Sequence, residues 1–108
     1  MKEVVETLQK RGYLFRRLEP FALNLVGSRK RLEVFHGVDL QSRYTLIFKV
    51  ARRSRILRKE TAEWMELKRK IEHYYGYPIL RTVVLVEAPI CSKAVASLEA
   101  EGWRVLLK

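Results

Sequence analysis

Six cationic side chains crowd the stretch between positions 49 and 59, and no carboxylate interrupts them. They are Lys49, Arg52, Arg53, Arg55, Arg58 and Lys59. The apolar run at 44–50 is typical of a buried strand, so these charges are expected to crowd the connection to the next element. Like charges held together repel one another unless an anion relieves them. A chain of phosphates is the natural counterpart, and this block therefore indicates binding to a nucleic acid.

A second, smaller basic group lies on a predicted turn at 27–31. Turns are often charged because they face solvent, so charge alone does not assign this group to the same interface. We expect it to bind phosphates if the fold brings it to the side that carries Arg52 and Arg53. Its members are Arg29, Lys30 and Arg31.

Length and charge define the class of protein. The 108 residues suffice for a single domain, 1–108, with one core. The 22 Lys and Arg residues outnumber 12 acids, and the formal charge of +10 favours a nucleic acid, with an anionic membrane surface second. No apolar run approaches the roughly 20 residues of a membrane span, and the expected location is the cytoplasm. A single asparagine, Asn24, beside abundant Arg, Lys and Glu points to a heat-adapted source.

The hydrophobic pattern predicts an α/β fold with element order α-β-β-β-α-β-α-β. Pro20 is expected to break a strand at 13–18, and the residues after it are expected to begin another strand. Ser92 is the expected N-cap of the last helix. Strands separated by helices imply parallel pairing with right-handed crossovers after an antiparallel meander. The main elements are helices at 2–11 and 60–75, strands at 44–51 and 81–86, a helix from 92 and a strand at 103–107.

Four segments carry a resemblance to a known family: FKVARRSR, a long helix ending in YYGYP, a VVLV strand and a final EGWRVL. Together they resemble the restriction-endonuclease-like nuclease superfamily, and among its members the archaeal Holliday-junction resolvases. The resemblance implies a three-layer fold with a mixed central sheet. It also implies a divalent ion held by carboxylates, one of them in a Glu-x-Lys motif at the end of the third strand.

The motif positions depart from that family. Lys49-Val50-Ala51 stands where the family has Glu-x-Lys, so a cation replaces a metal-binding carboxylate. Asp39 could supply the family's preceding Asp, with Asn24 as a poorer alternative, and Glu6 matches the Glu of the first helix loosely. The resemblance thus implies a frame that binds DNA or structured nucleic acid, needs no cofactor and has lost or impaired catalysis.

Two other functions stay open. An active endonuclease could have moved its site to carboxylates that hold Mg²⁺ or Mn²⁺; the candidates are Glu6, Asp39, Glu33 and Glu87. A structural subunit could instead pair with another chain, for example as a homodimer, through an apolar helix face or the final strand. The histidines and the cysteine do not help to choose among these functions. His36 and His73 lack the spacing of metal ligands, and Cys91 has no cysteine partner for a disulfide.

Overall fold

The computed structural model describes residues 2–108, which form one mixed sheet flanked by helices. The sheet has the order β1-β2-β3-β4-β5. Along the chain the elements are α1 (Lys2–Lys10), β1 (Phe15–Phe21), a 3₁₀ helix (Leu23–Val26), β2 (Glu33–Asp39), β3 (Tyr44–Ala51), α2 (Arg58–Tyr75), β4 (Arg81–Glu87), α3 (Ser92–Ala100) and β5 (Arg104–Leu107).

The pairing of the strands follows from the connections between them. The first three strands form an antiparallel meander. β4 then pairs parallel with β3, and β5 parallel with β4, because α2 and α3 carry the chain back along the sheet before each strand begins. The predicted α/β class with a mixed sheet is confirmed.

Alternate side chains of the central strands form two cores, one on each face of the sheet, where the length of the chain had suggested a single core. On one face Val4 and Leu8 of α1 pack with Phe35, Ile47 and other buried residues. On the opposite face α2 and α3 cover a larger cluster. β3 and β4 are buried on both faces, which explains their nearly continuous apolar sequences.

α2 owes its position to one apolar stripe. Thr61, Trp64, Leu67 and Ile71 are its buried residues, and their spacing of three or four positions places them on one side. Gly76 ends the helix in the left-handed conformation, at φ 81°, and its N–H donates to the carbonyl of Glu72. The helix begins at 58, two residues before the predicted start, so the last two cations of the block lie in its first turn.

Three sequence predictions about local structure are wrong. Pro20 lies inside β1, which an edge strand tolerates because only one of its sides is hydrogen-bonded. The residues after it form the 3₁₀ helix at Leu23–Val26, with no second strand there. Cys91, not Ser92, caps α3, and its sulfur accepts the N–H of Ala94 at 3.3 Å.

Both outer strands carry features that block pairing with another chain. β1 has a register shift between Phe15 and Arg17, and Pro20 removes one backbone donor. β5 has only four residues. Bulges, prolines and short edge strands are the means by which native sheets avoid joining edge to edge.

His36 makes folding stability depend on pH. The ring is 5% exposed, stacks on Tyr75 at 4.2 Å and lies 2.9 Å from the hydroxyl of Tyr77. Burial lowers the pKa of His36 below 6.5; nearby Glu19 opposes this shift, and Arg17 adds to it. The unfolded chain therefore takes up a proton at higher pH than the folded chain. Stability should be fully present above 6.5 and fall as the pH drops below it.

The slope from this one group cannot exceed about 1.4 kcal/mol per pH unit. Urea denaturation between pH 7.5 and 5.5 measures it, and His36→Phe, which keeps a stacking ring but cannot titrate, is the matched control. An equal slope in both proteins would contradict the assignment.

Candidate nucleic-acid interface

A concave cleft lies over the end of the sheet where the three parallel strands finish. α1 forms one wall, and the ends of β3, β4 and β5 form the floor. Strands that run parallel bring their carboxyl ends to the same edge, which is why residues far apart in sequence meet here. The charged residues that line this cleft are Glu3, Glu6, Lys10, Arg11, Lys49, Glu87 and Lys108.

An ammonium group lies beside two of the carboxylates in the cleft. The Nζ of Lys108 lies 2.6 Å from an oxygen of Glu87 and 3.7 Å from an oxygen of Glu3. The hydrogen bond from Lys108 lowers the pKa of Glu87 despite some burial, and Lys49 adds to this shift. In return, the bond to Glu87 raises the pKa of Lys108. Both groups are therefore charged near neutral pH, and they compensate one another.

Lys49 joins the cleft to a second hollow. Its side chain is 18% exposed, and its Nζ lies 4.0 Å from an oxygen of Glu33, the residue directly opposite it on β2. The second hollow is lined by Lys30, Arg31, Leu32, Glu33, Lys49 and Ala51. Because Lys49 lines both hollows, the cleft continues into the basic turn at 27–31.

The turn at 27–31 also lies against the beginning of α2. Lys30 forms an ion pair with Glu63 of α2 at 2.7 Å. Gly27 ends the preceding 3₁₀ helix with φ 71°, and the N–H of Ser28 donates to the carbonyl of Leu23. The fold thus places this turn beside the connection between β3 and α2.

Arg52 differs from the other cations of the block because its donors are used internally. Its guanidinium pairs with both oxygens of Glu60 and also donates to the carbonyls of Ser54, at 3.1 Å, and Arg55, at 3.2 Å. The pair with Glu60 raises the pKa of Arg52 and lowers that of Glu60. These contacts fix the shape of the connection, and the phosphate binding that the sequence assigned to Arg52 stays a prediction.

Six exposed cations, here named the basic face, lie on the turn at 27–31, on this connection and in the first turn of α2. Within residues 2–108 none of their side chains takes part in an ion pair. These side chains therefore face solvent without a compensating carboxylate among the described residues. The members of the basic face are Arg29, Arg31, Arg53, Arg55, Arg58 and Lys59.

Asp39 lies at the other end of the sheet from Lys49. Its carboxylate accepts hydrogen bonds from the backbone of Gln41 and Arg43 and from the side chains of Arg43 and Arg81. Asp39 ends β2, and Glu33 at the start of that strand pairs with Lys49, so Asp39 lies about 20 Å along the sheet from Lys49 at ~3.3 Å per residue. It therefore cannot share an ion with Glu6, Glu33 or Glu87, and the predicted grouping of Asp39 with them is wrong.

The other candidate carboxylates lie nearer to Lys49. Glu6 and Glu87 line the cleft, and Glu33 lines the adjoining hollow. The described residues, 2–108, contain no group of three or more His, Cys, Asp or Glu side chains placed to hold a metal ion. None of the helices in this part of the chain is long and apolar enough to span a membrane.

The sequence did not identify Lys10, Arg11 and Lys108 as members of the cleft. Lys10 and Arg11 sit at the end of α1, and the guanidinium of Arg11 donates to the carbonyl of Leu107 at 2.7 Å. Lys108 directly follows β5, so the rule that parallel strands end at one edge could have found it. Glu87 is the last residue of β4, so the same rule places it at this edge.

The fold of this chain is similar to that of several solved structures. A structure of EndoMS in apo form superposes with a TM-score of 0.61 at 15% identity over 99% of this chain. A repair endonuclease from Pyrococcus abyssi gives 0.61 at 16% identity, again over 99% of this chain. A complex described as EndoMS-dsDNA2 gives 0.55 at 16% identity. This likeness establishes a shared fold.

The chain spans less than half the length of these proteins, 43–45% of each. No protein-family model matches the chain. No curated protein matches it either.

Proposed function

We propose that this chain is a DNA-binding protein on a restriction-endonuclease-like fold, with a catalytic motif that has degenerated. The observation that carries the proposal is the basic face, whose six exposed cations form no ion pair within residues 2–108 and include two on a connection fixed by Arg52 and Glu60. The fold is shared with a repair endonuclease and with EndoMS, which was solved in a complex described as EndoMS-dsDNA2, and this likeness supports DNA as the polyanion.

The basic face suits the phosphates of a nucleic-acid backbone. Five of its six members are arginines, whose planar guanidinium groups bind phosphate oxygens through two parallel hydrogen bonds. Such contacts position a protein on DNA without reading the bases. We therefore expect binding that depends little on sequence and strongly on salt.

The cleft argues against metal-dependent hydrolysis. Hydrolysis on this fold would need carboxylates grouped around a divalent ion, with room for an attacking water. In this chain the ammonium of Lys108 already lies between Glu3 and Glu87, and Lys49 lies beside Glu33. Two ammonium groups at this edge repel a divalent ion and compensate Glu3, Glu33 and Glu87.

Salt dependence tests the binding proposal. If four to six phosphates are neutralised, log K should fall against log salt with a slope of about −4 to −5. Fluorescence anisotropy of a labelled 20-base-pair duplex between 50 and 300 mM KCl measures this slope, with a scrambled duplex of equal length as the control for sequence. A flat response to salt would contradict binding through phosphates.

An active endonuclease is the second candidate, because Glu3, Glu6 and Glu87 share one cleft. It requires cleavage of branched or duplex DNA that depends on Mg²⁺ or Mn²⁺ and is lost in Glu87→Gln. We expect no cleavage with either ion in a gel assay with radiolabelled substrates. Metal-dependent cleavage that is lost in Glu87→Gln would establish the second candidate instead.

Formation of a homodimer stays a prediction. The protected outer strands disfavour dimers made by strand pairing, so a dimer would use helix faces or loops. Light scattering at several protein concentrations, with and without DNA, distinguishes a monomer from a dimer.

A further inference from the structure

One exposed leucine stands inside the basic face. Leu57 is 53% exposed and is flanked in sequence by Arg55 and Arg58, with Lys59 next. A single exposed leucine is common on protein surfaces and needs no explanation by itself. Two further observations, its position at a helix start and the rigidity of its backbone, make this one different.

Leu57 occupies a position where local stability favours another residue. It is the N-cap of α2, with extended backbone at φ −106° and ψ 157°, and it makes no side-chain hydrogen bond to the helix. Ser, Thr, Asp and Asn are strongly preferred at this position because their side chains accept a free backbone N–H, and leucine is among the poorest choices. Residues that break a local rule without a structural gain are candidates for function.

The backbone that carries Leu57 is held on both sides. The preceding residue, Ile56, is fully buried; its N–H donates to the carbonyl of Pro89 at 2.8 Å, and its carbonyl accepts the N–H of Cys91 at 3.1 Å. Arg52 binds the carbonyl of Arg55, and the carbonyl of Leu57 accepts the N–H of Glu60 at 3.0 Å. The leucine is therefore an apolar side chain projecting from a rigid support among cations.

From this geometry we propose that Leu57 inserts between neighbouring base pairs of bound duplex DNA and partly unstacks them. The inference rests on the proposed DNA binding and deepens it. Apolar side chains inserted in this way kink the duplex, while surrounding cations hold the phosphates on either side. The preferred substrate is duplex DNA with a pyrimidine–purine step, because TA and CA steps unstack most readily.

The test uses 2-aminopurine placed at a TA step of a 20-base-pair duplex, since its fluorescence rises when stacking is lost. Wild-type protein should raise the fluorescence severalfold at saturation. Leu57→Ser should return it to the level of free duplex and keep the same salt slope. The melting temperature of Leu57→Ser should rise, because serine caps the helix. If Leu57 served only the structure, the variant would not lose the fluorescence response while gaining stability. Leu80→Ser, at a leucine 76% exposed outside the basic face, is the matched control and should behave as wild type.

The outcomes separate the two proposals. DNA binding with no rise in fluorescence, or an equal rise with Leu57→Ser, would overturn the insertion and leave DNA binding intact. No binding to any duplex at 50 mM KCl would overturn both. Attachment to vesicles of phosphatidylserine and phosphatidylcholine that requires Leu57, without a 2-aminopurine response, would assign the leucine to a lipid surface and overturn the insertion.

Discussion

Reversing two charges of the basic face is expected to reduce DNA affinity by about 100-fold at ~0.1 M salt, because it removes two phosphate contacts and adds repulsion. The variant is Arg53→Glu with Arg58→Glu. Both side chains are exposed and unpaired among residues 2–108, so the fold should keep its stability. Anisotropy titrations give the affinity, and the salt slope should become shallower by about 2, since each phosphate contact contributes ~0.9.

The matched control reverses the same amount of charge elsewhere. Arg16 and Arg17 are exposed on β1, near the end of the sheet that carries Asp39. Arg16→Glu with Arg17→Glu lowers the net charge equally, so it should lose only the long-range attraction and keep most of the slope. Equal losses of affinity in the two double variants would mean that net charge, not the basic face, governs binding.

Replacing Asp39 by alanine is expected to destabilise the fold by about 2 kcal/mol, because a buried carboxylate that accepts hydrogen bonds from two backbone N–H groups and two partly exposed arginines is lost. Burial alone would raise the pKa of Asp39, but hydrogen bonds from Arg43, Gln41 and Arg81 lower it overall, so the carboxylate is charged and fully engaged. Removing it leaves Arg43 and Arg81 without their partner and opens the turn between β2 and β3. Urea denaturation at pH 7 measures the change in the free energy of unfolding.

Asp39→Asn is the conservative comparison for this site. It keeps an oxygen that can accept the backbone N–H groups of Gln41 and Arg43 but removes the charge that pairs with the two arginines. We expect a loss of stability smaller than that of alanine. DNA affinity of the folded fraction should be unchanged in both variants. A stable Asp39→Ala protein with altered DNA binding would place this residue in the interface after all.

The parts of the fold that the sequence predicted well are those set by local patterns. The continuous apolar run of β3 and the helical spacing of buried residues from Trp64 to Ile71 are local signals, and the tertiary structure agrees with both. Pro20 shows the limit of such signals. Its effect depends on whether the strand lies at an edge, and strand order is not a local property.

The site was harder to predict because its contacts join distant residues. The cation block was visible in the sequence, but the pair of Arg52 with Glu60 depends on where α2 begins. Lys108 reaches Glu87 only because β5 lies parallel to β4, which brings both residues to one edge. Asp39 appeared free to hold a metal, since nothing in the sequence shows that Arg81 lies beside it.

The features that block pairing of the outer strands should also limit aggregation of copies bound side by side on DNA. A protein that binds DNA without regard to sequence accumulates along it, so neighbouring copies meet at high local density with their mutual repulsion neutralised. Under those conditions an unprotected edge strand would pair with the edge strand of a neighbouring copy, and fibrils would grow from the bound proteins. Neither edge of this sheet offers a long regular strand for pairing, because β1 contains Pro20 and a register shift and β5 is short. Neighbouring copies should therefore stay folded as separate molecules.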